Sequence, residues 1–289
     1  MRNVRVQVLG ATTLTRAAVP YMLERRGARV VGIDPGEEHE GHPWFAPVRG
    51  LARDNGIPLG HAEADIVLDL DPDARPTAPV GIGLRVLAPS GARSPDLNRA
   101  LLAPNAGGAQ GPWEVALTDA RGAWGSRAVE VLPDDDAGTL MDRAALRALE
   151  VLDAAWAALV GDGSTPTQPP LPLARPLIGG RFRPQETFVN WELPAEAIVA
   201  RVRACAGPWG GARTHLGETA IWLLDAEVHA PRAPEGWSPG TLLEVDDSIC
   251  VVTGRGVVRT RRLRAGLRPP QSAGAFATAS GVGPGYLLA

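Results

Sequence analysis

Strand, helix and strand follow one another within the first 34 residues, and that order constrains the fold of this chain more than any other feature. Val4 to Leu9 alternates apolar residues with Arg5 and Gln7 and stops at Gly10. A helical pattern runs from about Arg16 to Arg26 on Ala17, Val19, Tyr21, Met22 and Leu23, and Gly27 ends it. Ala28 to Ile33 is a second apolar strand, closed by Asp34-Pro35-Gly36. Two strands joined through a helix in so short a span predict a parallel pair. The pattern continues with a short helix over Pro47–Asn55 and buried strands over Ile66–Leu70 and Gly83–Leu87. A helix over Asp96–Ala103 and strands over Trp113–Thr118 and Ala128–Leu132 come next. The longest helix, about Thr139 to Val160, carries Leu140, Leu146, Leu149, Leu152, Trp156 and Leu159 at helical spacing. The expectation is a doubly wound α/β domain over residues 1–163.

Ser164 to Pro184 holds six prolines and no periodicity, so residues 164–185 read as a linker. A helix over about Pro194–Cys205 follows. Then come strand-like runs at Thr214–Leu216, Ala220–Val228, Gly240–Asp246 and Ser248–Arg264, separated by Gly and Pro. Short strands at this spacing predict a small β-barrel over 186–289. Length favours two domains. The two cysteines, Cys205 and Cys250, form no spaced framework, which points to a reducing cytoplasm and away from a disulfide scaffold or metal knuckle. No apolar run is long enough to span a bilayer, and the N-terminus has no secretion-signal layout. All 29 basic residues are arginine and the net charge is −3, a poor balance for a dedicated nucleic-acid binder. Gly10-Ala11-Thr12-Thr13 lacks the G-x-G-x-x-G spacing of a dinucleotide site.

The second half carries Asn190-Trp191, Pro194-Ala195-Glu196, Val202-Arg203-Ala204 and Gly207-Pro208-Trp209-Gly210-Gly211-Ala212, followed by Pro239-Gly240-Thr241 and Val252-Thr253-Gly254-Arg255-Gly256. The first half carries Pro47-Val48-Arg49, Gly56-Ile57-Pro58, Arg99-Ala100-Leu101-Leu102-Ala103 and Asp136-Ala137-Gly138-Thr139-Leu140 with Asp142-Arg143. In order and spacing these blocks resemble the formyltransferase family, which includes methionyl-tRNA and sugar-amine formyltransferases. The resemblance implies a Rossmann-like catalytic domain using a formylated tetrahydrofolate, followed by an OB-like β-barrel. In that family the elements N-x-H-x-S-L-L-P and D-x-G-x-D-x-G polarise the formyl group and move protons from the attacking amine.

Here the first element corresponds to Gly83-Leu84-Arg85-Val86-Leu87-Ala88-Pro89-Ser90. Val86 takes the Asn position, Ala88 takes the His position, and only Ser90 matches. The second corresponds to Asp119-Ala120-Arg121-Gly122-Ala123-Trp124-Gly125, where Asp119 survives and Trp124 falls on or beside the catalytic Asp position. Residues 62–120 contain no histidine. The segment that would wrap the folate is replaced by Asp69 to Pro79. Valine and alanine side chains can neither donate a hydrogen bond nor shuttle a proton. The expected site is therefore Ser90, Arg93 and Asp119 as reacting groups, with Trp124, Val86 and Ala88 shaping the substrate pocket, and with neither formyltetrahydrofolate nor a metal in use. The corresponding function is a repurposed enzyme acting on an amine-bearing small molecule or an aminoacyl conjugate in specialised metabolism. The alternatives are a non-catalytic binding or partner protein, and residual formyl transfer to tRNA or an amine.

Three further clusters have two readings each. Glu37-Glu38-His39-Glu40-Gly41-His42 could hold a metal or a cationic substrate, or be a solvated acidic loop. Asp134-Asp135-Asp136 could bind a cation or cap the following helix. Arg255, Arg259, Arg261, Arg262, Arg264 and Arg268 could track phosphates or blunt a barrel edge with charge.

Overall fold

The computed structural model describes residues 4–25, 27–36, 45–70, 81–87, 98–102, 113–119, 121–160 and 182–289. The Glu37–His42 cluster, Ala88, Ser90, Arg93 and nearly all of the proline-rich stretch lie outside them. Packing divides the chain into two units. One comprises Met1–Ala100, Gly107–Pro133 and Thr139–Phe182, and the other Arg183–Ala289 with Leu101–Ala106 and Asp134–Gly138.

The first unit is built on strands β1 (Val4–Leu9), β2 (Ala28–Asp34), β3 (Ile66–Asp69), β4 (Gly81–Leu87), β5 (Trp113–Thr118) and β6 (Ala123–Val129), and helices α1 (Thr13–Glu24), α2 (Phe45–Asp54), α3 (Asn98–Leu102) and α4 (Ala137–Val160). The sheet order is β2-β1-β3-β4-β5-β6. β1 to β4 are parallel, whereas β5 and β6 run antiparallel. The sheet is thus mixed, with a parallel core and an antiparallel hairpin at one edge. That hairpin places the last strand at Ala123–Val129, five residues ahead of the Ala128–Leu132 expected from apolarity. Backbone pairing with β5 outweighs side-chain pattern there, since β6 exposes Arg127 and Ala128.

Local chemistry accounts for the element boundaries. Thr12 caps α1, accepting from Thr15 N at 3.3 Å while Thr15 Oγ1 accepts from Thr12 N at 3.3 Å, so the helix begins three residues earlier than the apolar pattern suggests. Gly10 and Gly27, which close β1 and α1, have φ of 104° and 90°, a region closed to most side chains. Gln7, fully buried in the central strand, is satisfied by Ala62 N (2.9 Å) and by the carbonyls of Gly60 (3.1 Å) and Val8 (3.2 Å). On α4 the buried stripe is Leu140, Ala144, Ala148, Val151, Leu152, Ala155 and Trp156, while Leu146 faces solvent. Alanines let that helix approach closely, and a stripe scored on large residues alone misses them.

The second unit contains α5 (Ala195–Ala204), β7 (Ala212–Leu216), β8 (Thr219–Leu223), β9 (Glu227–Ala230), β10 (Leu242–Val245), β11 (Ile249–Val252), β12 (Val257–Thr260), β13 (Arg262–Ala265), β14 (Gln271–Ser272) and α6 (Ala273–Ser280). The strands form two antiparallel four-stranded sheets, β10-β11-β12-β9 and β14-β13-β8-β7. No strand pairing among the described residues closes them into the expected OB-like barrel. The single run Ser248–Arg264 is three strands. Asp225 Oδ1 accepts from Thr260 Oγ1 and from the Arg261 and Arg262 amides at 2.8–3.1 Å, which fixes the break between β12 and β13. Both cysteines are buried and unpaired, and burial pushes the Cys205 thiol up to about 12, an inert state. No helix among the described residues is long and apolar enough to cross a membrane.

Candidate functional site

Strand register lines up one edge of the first sheet. Leu9 pairs with Asp34 and with Asp69, Asp69 with Gly83, Gly83 with Thr118, and Thr118 with Ala123. This row is where β1, β2 and β3 end. Open α/β sheets bind ligands outside the carboxyl ends of their strands, because the helix N-termini and connecting loops converge there. The row carries three acidic positions: Asp34, Asp69, which is 4% exposed, and Asp119, next after Thr118. No motif marks Asp69 in the sequence. The available signal is a carboxylate closing the otherwise apolar strand Ile66-Val67-Leu68-Asp69.

The β5–β6 connection is the best-defined part of this edge. The register shifts between Leu117 and Thr118, pairing Leu117 with Gly125 and Thr118 with Ala123, so that Trp124 is the extra residue of a bulge. A bulge re-aims its side chain. The Trp124 Nε1–H donates to Asp119 Oδ2 at 3.1 Å. Asp119 also accepts from Arg121 Nε (3.1 Å), Arg121 Nη2 (2.8 Å), Arg121 N (2.7 Å) and Gly122 N (3.1 Å). The Arg121 guanidinium lies 5.5 Å from the Trp124 ring centroid, so one indole face is covered and at most the other could meet a flat ligand.

Burial alone pushes the Asp119 carboxyl up. The hydrogen bonds from Arg121, Trp124 and Gly122 outweigh it and hold the group below the usual carboxylate range. A carboxylate so occupied is a poor proton acceptor and a firm anchor. Since its folded pKa is depressed, its contribution is present above the unfolded value near 3.9 and is lost as pH falls through the folded value. Asp119→Ala is expected to lower stability by about 2 kcal/mol at pH 7. The loss should shrink toward zero when urea unfolding is repeated near pH 2, and an equal loss at both pH values would refute the charged anchor.

The structure brings Asp119 and Trp124 into direct contact. Val86 lies on β4 with its backbone opposite Val115, three residues beyond the Gly83 row. Ala88, Ser90 and Arg93 lie outside the described residues. Asp136 lies against the first turn of α4, with its Oδ1 beside Gly138, where a carboxylate offsets the positive helix end.

In the second unit three of the six clustered arginines have acidic neighbours. Arg261 pairs with Glu227 at 2.6 Å, Arg259 with Glu227 at 3.7 Å, and Arg255 with Glu196 at 3.7 Å. Arg264 is stacked on an aromatic ring. Phe188, Arg213, Trp222 and Arg264 form a cross-strand row. Within it Arg213 Cζ is 4.8 Å from the Phe188 centroid and 5.6 Å from that of Trp222, and Arg264 Cζ is 4.5 Å from Trp222. On the other sheet, His229, Glu244 and Cys250 bring three metal-type donor atoms within 4.8 Å of one another. Arg259 Nη2 sits 3.3 Å from His229 Nε2, so a guanidinium already stands beside that cluster.

Residues 181–281 match the formyl transferase C-terminal domain. The methionyl-tRNA formyltransferase of Mycolicibacterium paratuberculosis is 30% identical over 138 residues, 46% of this chain and 43% of the relative. That of Heliobacterium modesticaldum is 29% identical over 175 residues, 55% and 52% respectively. The chain thus spans about half the length of these curated relatives. Among solved structures, HypX from Aquifex aeolicus in complex with tetrahydrofolic acid superposes with a TM-score of 0.57 at 15% identity, over 95% of this chain and 47% of that one. The N-formyltransferase from Helicobacter canadensis, in complex with folinic acid and dTDP-3-aminofucose, gives 0.56 at 9% identity, over 90% and 98%. These structural likenesses establish the fold.

Proposed function

We propose that this chain, whose residues 181–281 match the formyl transferase C-terminal domain, is a formyltransferase family member whose standard triad is degraded and which acts on an amine-bearing small molecule or aminoacyl conjugate in specialised metabolism. The observation that carries this reading is the aligned edge of the first sheet. Asp34 and Asp69 lie along this row and Asp119 next to its β5–β6 end, where it contacts Trp124, while the strand through Gly83 to Val86 supplies neither amide nor imidazole. With the Asp119 charge matched by Arg121, the acidic positions Asp34 and Asp69 of the row suit a protonated amine attached to a larger group. In this reading Ser90 and Arg93 hold the reacting end, with Val86 and Ala88 as apolar wall. Asp119 acts through its anchoring of Arg121 and Trp124. The second unit serves as an OB-like platform, and the protein works in the cytoplasm without formyltetrahydrofolate.

The test is to incubate the full chain with a panel of amino-sugar nucleotides and aminoacyl conjugates, with and without a formylated tetrahydrofolate, and to follow substrate mass. Turnover is expected without the folate and is expected to fall at least a hundredfold in the Ser90→Ala, Arg93→Ala, Asp119→Ala triple variant. Calorimetry with folinic acid is expected to give no micromolar binding. Such binding together with a formylated product would restore ordinary formyl transfer, a reading favoured by the folate and folinic acid complexes of the fold's neighbours. A tight ligand without turnover would instead make the protein a binding or partner protein.

A further inference from the structure

A cavity of about 570 Å³ opens in the second unit, remote in sequence from the edge described above. Ala265, Phe276 and Val282 form its buried floor, at 4%, 4% and 9% exposure. Its rim is held by backbone bonds: Gly266 N to Ala220 O at 2.9 Å, Val282 N to Ala277 O at 2.9 Å, and Leu242 N to Tyr286 O at 2.8 Å. The shape is therefore set by paired main chain. Its walls leave apolar groups in water. Leu267 is 104% exposed, Leu287 55% and Tyr286 50%, so three of the most exposed large apolar side chains among the described residues meet at one opening. Arg268 stands at the same opening and has no acidic partner among the described residues, in contrast to Arg255, Arg259 and Arg261. Ligand sites of this size are mostly apolar with a few placed polar groups. A guanidinium without an acidic partner is suited to bidentate contact with an oxyanion.

We propose that this cavity binds a small amphipathic organic anion, an alkyl or aryl carboxylate, with its apolar body on Phe276, Val282 and Leu287 and its carboxylate on Arg268. The site is separate from the proposed catalytic edge and does not depend on it.

Titration calorimetry of the full chain with hexanoate, octanoate and decanoate, kept below micelle-forming concentrations, tests the assignment, with 1-octanol as the neutral probe. Affinity is expected to rise three- to fourfold per methylene. Arg268→Gln should weaken octanoate about tenfold and leave 1-octanol unchanged. Ser280→Trp, at an exposed position on the rim, should abolish binding of acid and alcohol alike while urea unfolding stays that of the parent protein. Absence of binding, octanoate affinity unaffected by Arg268→Gln, or binding undisturbed by Ser280→Trp would each overturn the proposal. So would sedimentation showing a dimer that Leu267→Asp disperses and that octanoate does not compete with, because the opening would then be covered by a second copy of the chain.

Discussion

Gly254→Ala is expected to cost the protein about 4 kcal/mol and to unfold the second unit well before the parent chain in urea. A Cβ at this position would lie 1.9 Å from the Glu192 carbonyl oxygen and 2.6 Å from its carbon. No side-chain rotation relieves a clash with main chain. Nor can the main chain step aside. Gly254 N–H donates to Trp191 O (2.8 Å) and Leu193 O (3.1 Å), and Ala195 N donates to Arg255 O (2.9 Å), so the segment over residues 191–195 is bonded on both sides of the obstruction. Opening a gap would sacrifice these bonds beside the buried Thr253 and Trp191, 2% and 5% exposed, although Gly254 and Glu192 themselves face solvent. Gly283→Ala supplies the control: an added Cβ there meets nothing within 4 Å, and the change should stay within about 0.5 kcal/mol. Equal effects of the two substitutions, measured by tryptophan fluorescence in urea, would show that the close approach is not what requires glycine at 254.

Trp191→Ala carries the other large effect, about 4 kcal/mol. Trp191 is 5% exposed. Its Nε1–H donates to Thr214 Oγ1 at 3.0 Å, and the Thr214 hydroxyl donates to Ala289 O at 2.9 Å. Thr214 is wholly buried, and Ala289 O also accepts from His215 N at 2.8 Å. One indole therefore fills the core and closes a polar chain that ties residues 190–192 to β7 and to residues 286–289. Trp191→Phe separates the two roles. It keeps most of the apolar bulk and deprives Thr214 of its donor, for a loss of about 1–2 kcal/mol. A double-mutant cycle with Thr214→Val should show coupling of at least about 0.5 kcal/mol. Additive losses would mean that the hydrogen bond contributes nothing beyond packing.

The parallel core was readable because its signals are local. Val4–Leu9 and Ala28–Asp34 are apolar strands, and glycines with positive φ stand at Gly10, Gly27 and Gly56, where elements end. Helix α6 gave no such signal. Ala273–Ser280 is built of Ala, Gly, Thr and Ser around one Phe, and what makes it a helix is tertiary. Ser272 caps it through Ala275 N at 3.1 Å, and Gly274 packs where a Cβ would meet Asp246 O at 2.1 Å. The formyltransferase resemblance directed attention to Asp119 and Trp124, yet alignment treats them as two substitutions. Their direct bond arises from the register shift between Leu117 and Thr118, which depends on strand pairing and not on residue type. Asp69 was overlooked for a related reason: a strand-end carboxylate acquires meaning only when β1, β3 and β4 are laid side by side.

The row from Phe188 through Arg213 and Trp222 to Arg264 has a chemical corollary. Lysine ammonium groups could be stacked on aromatic rings in the same way, but a fraction of them would always be free amines, and free amines attack activated acyl and formyl carbons. Guanidinium stays protonated across the working range and does not. A chain whose side chains include no primary amine therefore has no lysine with which to consume an electrophilic one-carbon donor, and the cations that stiffen this sheet are blind to the reagent that its kin are named for transferring.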